Sequence, residues 1–502
     1  MRLVLKRWDG SLTLKAGLAA LVMALGDYVS WQQGQWAGVQ GLFGFGLIGA
    51  VLLARPAVRR DKRALLALAL AALYAFAQLR DPNVLAFALF WIAMGFATLL
   101  PGTARFDDGW RWFQRLFVHG FKSLFGPLID LTILTKVRRK RPPAPWGLRR
   151  VVPVLLLPLV GSAVFVALLA QANPVIEQLL AKLSLPTFDT DLIPRLILLG
   201  LFALLAWGVL RARPPRRLLS TPDSTGEVML PGVSLASVTL SLIAFNTLFA
   251  AQNLMDLAYL SGAATLPKGI TLADYAHRGA YPLVVTALLA ALFVLITMRP
   301  GSSTAASQRV RGLVTAWIVQ NLLLVASAAL QTWDYVEAYS LTVLRLSALL
   351  WMGLVAAGLV LVLWRMLRGK SASCLINANL AAGGLLLTGV CFVDLGAVSA
   401  RWNVRHANEI DGDGAELDLC YLNDLRGSAL GALIELDQRH LPGALGLRAG
   451  QIRLIEQKRL ESYRSEGGWS LLLDRRLAEA RANPANITDL SSEVPCYGRY
   501  DN

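Results

Sequence analysis

Charged side chains are scarce in this chain of 502 residues: only 16% are Asp, Glu, Lys or Arg, while 55% are hydrophobic. A water-soluble globule needs more polar surface, so the composition excludes an ordinary soluble domain and favours an integral membrane protein. Acidic residues are fewer than basic ones, and the net charge is +16 at pH 7. Basic loops on the cytoplasmic side of a membrane produce the same excess, so we predict no nucleic-acid partner.

Motifs of soluble-enzyme chemistry are also missing. The sequence has no H-E-x-x-H metal motif, no phosphate-binding Walker loop and no nucleophile elbow. The string GFGLIG at residues 44–49 has the spacing of a dinucleotide fingerprint, but it lies within an apolar run with no preceding strand. Close helix packing through glycine explains it better. The sequence therefore predicts neither a metal site nor a cofactor.

Long apolar runs dominate residues 13–396. A helix needs about 20 apolar residues to cross about 30 Å of hydrocarbon. The fold class predicted is an all-α integral membrane protein with about 11 transmembrane helices, the first of which is retained because no signal-peptide cleavage pattern follows it. The runs lie at residues 13–31, 36–54, 64–80, 84–101, 151–171, 192–210, 233–256, 280–298, 312–332, 340–364 and 375–396.

Basic residues alternate between the loops that join these runs. They precede the first run and recur in every second loop, as in RPAVRRDKR, KVRRKRPPAPWGLRR and RARPPRR, whereas the other loops hold few. Short loops rich in Lys and Arg stay on the cytoplasmic side. We therefore expect an inner-membrane protein with a cytoplasmic N-terminus and a periplasmic C-terminus.

This orientation divides the chain into four parts: helices 1–4 (1–101), a basic cytoplasmic segment (102–150), helices 5–11 (151–396) and a periplasmic domain (397–502). The cytoplasmic segment carries aromatic residues at helical spacing between basic ones. Such a pattern is typical of an interfacial helix, here contacting anionic lipids over residues 105–150. A helix packed under the bundle is the alternative. The aromatic residues are Trp110, Trp112, Phe113, Phe117 and Phe121, and the basic ones are Arg111, Arg115 and Lys122.

The last hundred or so residues, 397–502, are polar and contain no further apolar run. Hydrophobic spacing in GSALGALIELDQRHL and WSLLLDRRLAEARA predicts a small, mainly helical domain. Cys420 and Cys496 are its only cysteines, and an oxidising compartment favours a disulfide between them. Cys374 and Cys391 belong to the last apolar run and are expected to be small buried residues.

Ionisable and amide side chains accompany the later runs, where they are costly at membrane depth and normally face the bundle interior or water. Asn246, Asn253 and Asp256 share one helix face by their spacing. The predicted orientation places every member of the set at the outer face, so we expect an outward-facing polar ligand pocket; an interfacial anchor of tyrosines and arginine is the alternative. The candidate ligand-binding residues are Asn253, Asp256, Asp274, His277, Arg278, Glu337, Arg345, Asp394 and Arg401.

Several strings resemble a bacterial polytopic membrane family catalogued as a domain of unknown function. They are FNTLFAAQNLMDLAYL, LPKGITLADYAHRGAYPLVVTALLAALFVL, YSLTVLRLSALLWM and the pair ARWNV and LDLCYLNDL. The resemblance covers roughly residues 150–480 and implies a multi-span inner-membrane protein with this tail, but no reaction. The chain departs from the family pattern at Ser340, where members have Gly, and at Trp402, where members have Tyr.

Two classes of function follow from the polar pocket. The protein binds or senses an envelope lipid headgroup or a partner protein, with arginines holding phosphate and the tail acting as a lid or docking surface. Alternatively, it is a membrane enzyme that transfers a group on a lipid-linked substrate, with Asp256 or His277 as general base. We place binding first because no nucleophile or metal motif is present, and transport last because no internal repeat or paired broken helices are visible.

The alternating basic loops predict that residues near 140 are cytoplasmic and residues near 450 are periplasmic. In variants with one cysteine each, a membrane-impermeant thiol reagent added to intact spheroplasts should label the site near 450 and leave the site near 140 unlabelled. Labelling near 140 alone would invert the orientation.

Overall fold

The computed structural model describes residues 12–28, 39–104, 106–127, 129–130, 132, 162, 192–212, 214–215, 218–219, 234–261, 286, 289–290, 292–299, 301–411 and 414–487. Of these residues 84% are helical, and no strand occurs among them. The first helices are α1 (Leu12–Asp27), α2 (Val39–Ala54), α3 (Pro56–Arg60), α4 (Lys62–Arg80), α5 (Val84–Leu99), α6 (Gly109–Leu124), α7 (Leu192–Leu210) and α8 (Leu235–Leu260). The later ones are α9 (Ser303–Ala306), α10 (Gln308–Tyr339), α11 (Val343–Arg368), α12 (Ala372–Val390), α13 (Leu395–Arg405), α14 (Asn408–Asp411), α15 (Leu419–Asp424), α16 (Leu430–Gln438), α17 (Gly443–Ser465) and α18 (Leu471–Ala482).

Six of the described helices are long and apolar enough to cross a membrane, which makes the chain a membrane protein. Two shorter apolar helices cover residues 40–54 and 194–210. The predicted run 151–171 lies outside the described residues except for residue 162, and the run 280–298 is described only in part. The six long helices are Lys62–Arg80, Val84–Gly102, Leu235–Ala258, Gln308–Tyr339, Val343–Arg368 and Ala372–Val390.

The last predicted run, 375–396, is too long at its C-terminal end. Helix α12 stops at Val390, and the Asp394 carboxylate then accepts a hydrogen bond of 3.0 Å from the Ala397 amide. This is an N-cap, which satisfies one of the unpaired N–H groups at the start of a helix. Helix α13 therefore starts at Leu395 as a new element.

The first helix bundle is formed by α1, α2, α4, α5 and α7, whose apolar side chains share one core. Glycine lets its helices approach closely. A Cβ added at Gly44 would lie 3.1 Å from the Ala75 Cβ of α4, and one at Gly46 would lie 2.5 Å from a Leu25 methyl group of α1. The prediction that GFGLIG serves helix packing is confirmed at these two glycines.

Helix α6 presents two apolar sides. Trp112 is buried and its ring lies 4.9 Å from Phe96 of α5. On another side, Phe113, Phe117 and Phe121 are 58%, 67% and 61% exposed. One side of α6 thus packs against the bundle and another is left open with a row of aromatic rings, while the contact of that row with lipids stays a prediction.

Helices α8, α10, α11 and α12 contribute to a second core, and α8 and α10 are joined by amide side chains. The Asn246 amide of α8 donates to the Leu313 carbonyl at 3.1 Å and accepts from Gln320 at 2.9 Å. Seven residues later, Asn253 donates to the Gln320 carbonyl at 3.1 Å. The partners advance together along both chains, so the two helices run parallel. The predicted shared face of Asn246 and Asn253 is the face that meets α10.

Helix α10 ends at a strained backbone position. Ser340 has φ 68° and ψ 163°, a region that is almost restricted to glycine because a Cβ clashes with the backbone there. Glycine, the residue that the resemblance implies at this position, would adopt this conformation without strain. Serine is therefore the costly residue here.

Ser340→Gly should raise the free energy of unfolding by about 1 kcal/mol, because the strain of a non-glycine residue in this region is removed. Ser347→Gly is the matched control, since Ser347 lies within the regular helix α11 and glycine there should lower stability by about 0.5 kcal/mol. Both changes can be measured as shifts in apparent melting temperature of the detergent-purified protein. Equal destabilisation by both variants would contradict the strain at Ser340.

Candidate functional site

The candidate site lies where the C-terminal helices meet the ends of the membrane helices. Helices α13, α16 and α17 enclose a small core of their own that includes Ala400, Leu433 and Ile452. Side chains of α13 and α18 reach two of three neighbouring connections of the membrane part, and Arg80 links the third to them. These connections are residues 80–84, 340–343 and 391–395.

The connection between α10 and α11 is held by an amide side chain from α13. Asn403 accepts a hydrogen bond of 2.7 Å from the Leu341 N–H and donates one of 2.9 Å to the Leu341 carbonyl. Ser399 donates to the same carbonyl at 2.6 Å, and the Val343 N–H donates to the Tyr421 hydroxyl at 2.8 Å. Leu341 and Asn403 are buried, so these side chains satisfy backbone groups that water does not reach.

A charged cluster holds α18 against the connections at residues 80–84 and 391–395. Arg476 of α18 pairs with Asp394, and both side chains are 16% exposed. Arg80 donates to the Phe392 carbonyl, which ties the end of α4 to the same place. The pKa of the neighbouring Asp81 carboxyl is raised, mainly by burial and further by the nearby Asp394 carboxylate. The positive charges of Arg476 and Arg80 lower this pKa, but by less. Removal from water thus outweighs the attraction of the two arginines at Asp81.

Aromatic rings surround the end of α10. Trp333 lies edge-on to Trp402 of α13 at 5.3 Å between ring centroids, and Trp402 stacks on His406 at 3.8 Å. On another side of the helix, Tyr335 and Tyr339 are 4.9 Å apart. We call these five residues the Trp402 strip.

Two predicted site residues border the Trp402 strip. The Arg345 guanidinium lies 4.0 Å from the centre of the Tyr335 ring and donates to the Tyr339 carbonyl at 2.7 Å and to the Ser340 carbonyl. It therefore caps the end of α10 and makes a cation–π contact. Glu337 accepts from the Trp333 indole N–H at 2.8 Å.

Asp256 lies elsewhere, inside the contact between α8 and α10. It is 4% exposed, and its carboxylate accepts from Gln252 at 2.9 Å and from Ser327 of α10 at 2.9 Å. Within the described part of the chain, no hydrogen bond or ion pair joins Asp256 to Arg345. The described contacts of Asn253 and Asp256 are those of helix packing.

Of the remaining predicted ligand residues, two are described and three are not. Asp394 belongs to the charged cluster, and Arg401 is an exposed residue of α13 whose guanidinium would lie 3.4 Å from a Cβ added at Gly431. Asp274, His277 and Arg278 lie outside the described residues. Cys496 does too, so a disulfide with Cys420 is not shown.

Sequence reasoning missed Arg80, Asp81 and Arg476. Arg80 and Asp81 stand in the short loop RDPN, where a turn between two apolar runs explained them sufficiently. Arg476 is one of several arginines in a helical segment, and no local pattern separates a buried arginine from its exposed neighbours. Asn403 lies in the string ARWNV, on which the family resemblance rests, but the sequence does not identify it as a contact residue.

Comparison with known proteins places this fold in one family. No curated protein and no solved structure matches the sequence. A family model described as a domain of unknown function, DUF4153, matches residues 18–436. The match begins earlier than the resemblance over residues 150–480 suggested and so includes the first bundle, while it ends within α16. The chain belongs to the DUF4153 family of proteins with a domain of unknown function.

Proposed function

We propose that this protein is an inner-membrane protein that binds an envelope lipid headgroup at its periplasmic end. In this proposal eleven helices cross the membrane, the N-terminus is cytoplasmic, and the helices from residue 395 onward are periplasmic. A bound headgroup would contact the Trp402 strip, and the C-terminal helices would sense it.

Contacts between helices support the proposed alternation of helix directions. Asp27 at the end of α1 forms a bidentate pair with Arg195 at the start of α7, at 2.8 and 2.6 Å, so these two helices run antiparallel. At the other end of α7, Arg211 pairs with Asp130 at 2.7 Å. Antiparallel α1 and α7, and parallel α8 and α10, are the directions that the alternating loops require.

The observation that carries the proposal is the composition of the Trp402 strip. Tyrosine and tryptophan are enriched where a membrane meets water, since their rings are apolar and their polar groups need a wet partner. Trp333 is 39% exposed and Tyr339 is 54% exposed. Arg345 stands beside this strip, and Arg401 is exposed on the same helix as Trp402; both have the guanidinium geometry that matches a phosphate group.

The contacts of the C-terminal helices support a sensing role. Because Asn403 and Arg476 bind connections between membrane helices, a displacement of α13 or α18 has to alter those connections. The helices are therefore a docking surface whose position is coupled to the bundle. His277 and Arg278 would complete the headgroup site from the loop before residue 280, and a Cys420–Cys496 disulfide would tie the tail together.

A second lipid contact is proposed at the cytoplasmic side, along α6. The exposed phenylalanines of this helix would enter the acyl region, while Lys122 and the basic residues up to position 150 contact anionic headgroups. The exposure of Phe113, Phe117 and Phe121 supports this contact.

The headgroup site can be tested by photo-crosslinking in living cells. A photoreactive phenylalanine analogue at position 402 should capture a phosphate-bearing envelope lipid, identified by mass spectrometry of the crosslinked protein. The yield should fall at least tenfold in Arg278→Ala and recover in part in Arg278→Lys, which keeps the charge but not the planar fork.

The same analogue at position 364 is the matched control, because Trp364 is exposed but lies near the other end of α11. It should capture bulk phospholipid with a yield that Arg278→Ala does not change. A protein crosslinked at position 402 would favour a partner protein as the ligand. Crosslinks that are identical at the two positions and unaffected by Arg278→Ala would contradict the headgroup site.

A further inference from the structure

A cavity of about 750 Å³ lies at the other end of the second bundle, between the segment before α10 and the end of α11. Four cationic side chains line it: Arg311, Arg365, Arg368 and Lys370. None of the described residues that line it is acidic. The chain has no Asp or Glu at all from 301 to 333 or from 338 to 393, so neither flanking segment supplies a carboxylate.

We propose that this cavity, which we call the basic cavity, binds the phosphoryl group of an anionic ligand. The proposal does not depend on the headgroup site at the Trp402 strip. Phosphate is the chemistry that fits, because guanidinium groups donate pairs of hydrogen bonds to its oxygens and a lysine adds a further charge.

Helix electrostatics explain only part of this charge. Arg365 and Arg368 lie in the last turn of α11, where cations interact favourably with the helix dipole. Arg311, however, lies in the first turns of α10, the end at which the dipole disfavours a cation. The fold thus brings like charges from two helices to one cavity, and a bound anion would offset their repulsion.

The wall of the basic cavity is fixed before any ligand binds. Arg365 is 3% exposed, so its position is set by packing. The Ser302 hydroxyl donates to the Arg299 carbonyl at 2.8 Å and accepts from the Ala305 amide at 3.2 Å, which holds the segment before α10. Gly301 has φ 84° and Gly369 φ 59°, so both rims turn through the left-handed region that glycine tolerates.

Size and apolar lining indicate a phosphate ester instead of a bare ion. A volume of about 750 Å³ is typical of pockets for whole small molecules. Met298, Met366 and Leu367 contribute apolar wall, and Leu367 is 53% exposed on the side of the bundle. An anionic phospholipid headgroup or a soluble phosphate ester would both place phosphate among the cations and carbon against these side chains.

Binding can be measured on the purified full-length protein by two arms. In the first, native mass spectrometry titrates phosphatidylglycerol against phosphatidylcholine. In the second, glycerol 3-phosphate is titrated by thermal shift in neutral detergent. Arg311→Gln and Arg368→Gln should each weaken the binding about tenfold, the effect of losing one charge-assisted contact. Arg311→Lys should retain part of it.

Arg309→Gln is the matched control, since Arg309 is exposed on the same helix and does not line the cavity. If the Arg311 and Arg368 variants lose binding only in the first arm, the site belongs to a lipid headgroup. If they lose binding in the second arm, the site belongs to a soluble ester; either result supports the proposal. Arg311 and Arg368 are not buried, so melting temperatures near that of the native chain should show that the variants fold. Folded variants that bind both ligands as the native chain does, or no binding in either arm, would overturn the proposal.

Discussion

The two hydrogen bonds between the Asn403 amide and the backbone of Leu341 are the contact on which the arrangement of the molecule depends. A connection between two membrane helices has backbone groups outside any helix, and a buried one must find partners elsewhere. Here the partner comes from a helix some sixty residues further along the chain. The α10–α11 connection and the C-terminal helices are therefore stabilised together.

The same requirement decides which membrane helices are neighbours. A polar side chain at membrane depth is costly unless it is satisfied, and the Asn246 and Asn253 amides are satisfied by carbonyl groups of α10. At the helix ends the partners are charged, as in the pairs of Asp27 with Arg195 and of Asp130 with Arg211. Polar contacts thus specify the pairing of helices whose apolar surfaces would allow many others.

The sequence was sufficient for the features that repeat along the chain. The apolar runs predicted the helical membrane class, and the glycine spacing predicted the close packing at Gly44. The spacing of seven residues predicted that Asn246 and Asn253 share a helix face. Each of these depends on neighbours within a few turns of one helix. The family resemblance even pointed to Ser340, whose strained backbone only the structure explains.

Contacts between distant segments could not be predicted in this way. The ion pair of Asp394 with Arg476 joins residues 82 positions apart, and many of the exposed arginines in the tail have the same local sequence character. Likewise, the place of Arg345 at a predicted membrane boundary did not indicate that it caps α10, and its role as a ligand residue stays a prediction. Charge at a boundary indicates that a partner is needed, without indicating which group provides it.

The coupling between the tail and the membrane helices is tested most directly by hydrogen exchange in Asn403→Ala. This change leaves the Leu341 N–H without its side-chain acceptor, at a cost of about 1–3 kcal/mol. The control is Asn379→Ala, since Asn379 donates to the Leu375 carbonyl of its own helix. We expect Asn403→Ala to raise exchange together at residues 340–343 and in α13, α16 and α18, with no such change in the control. Faster exchange at residues 340–343 alone, with the C-terminal helices protected as before, would contradict the coupling.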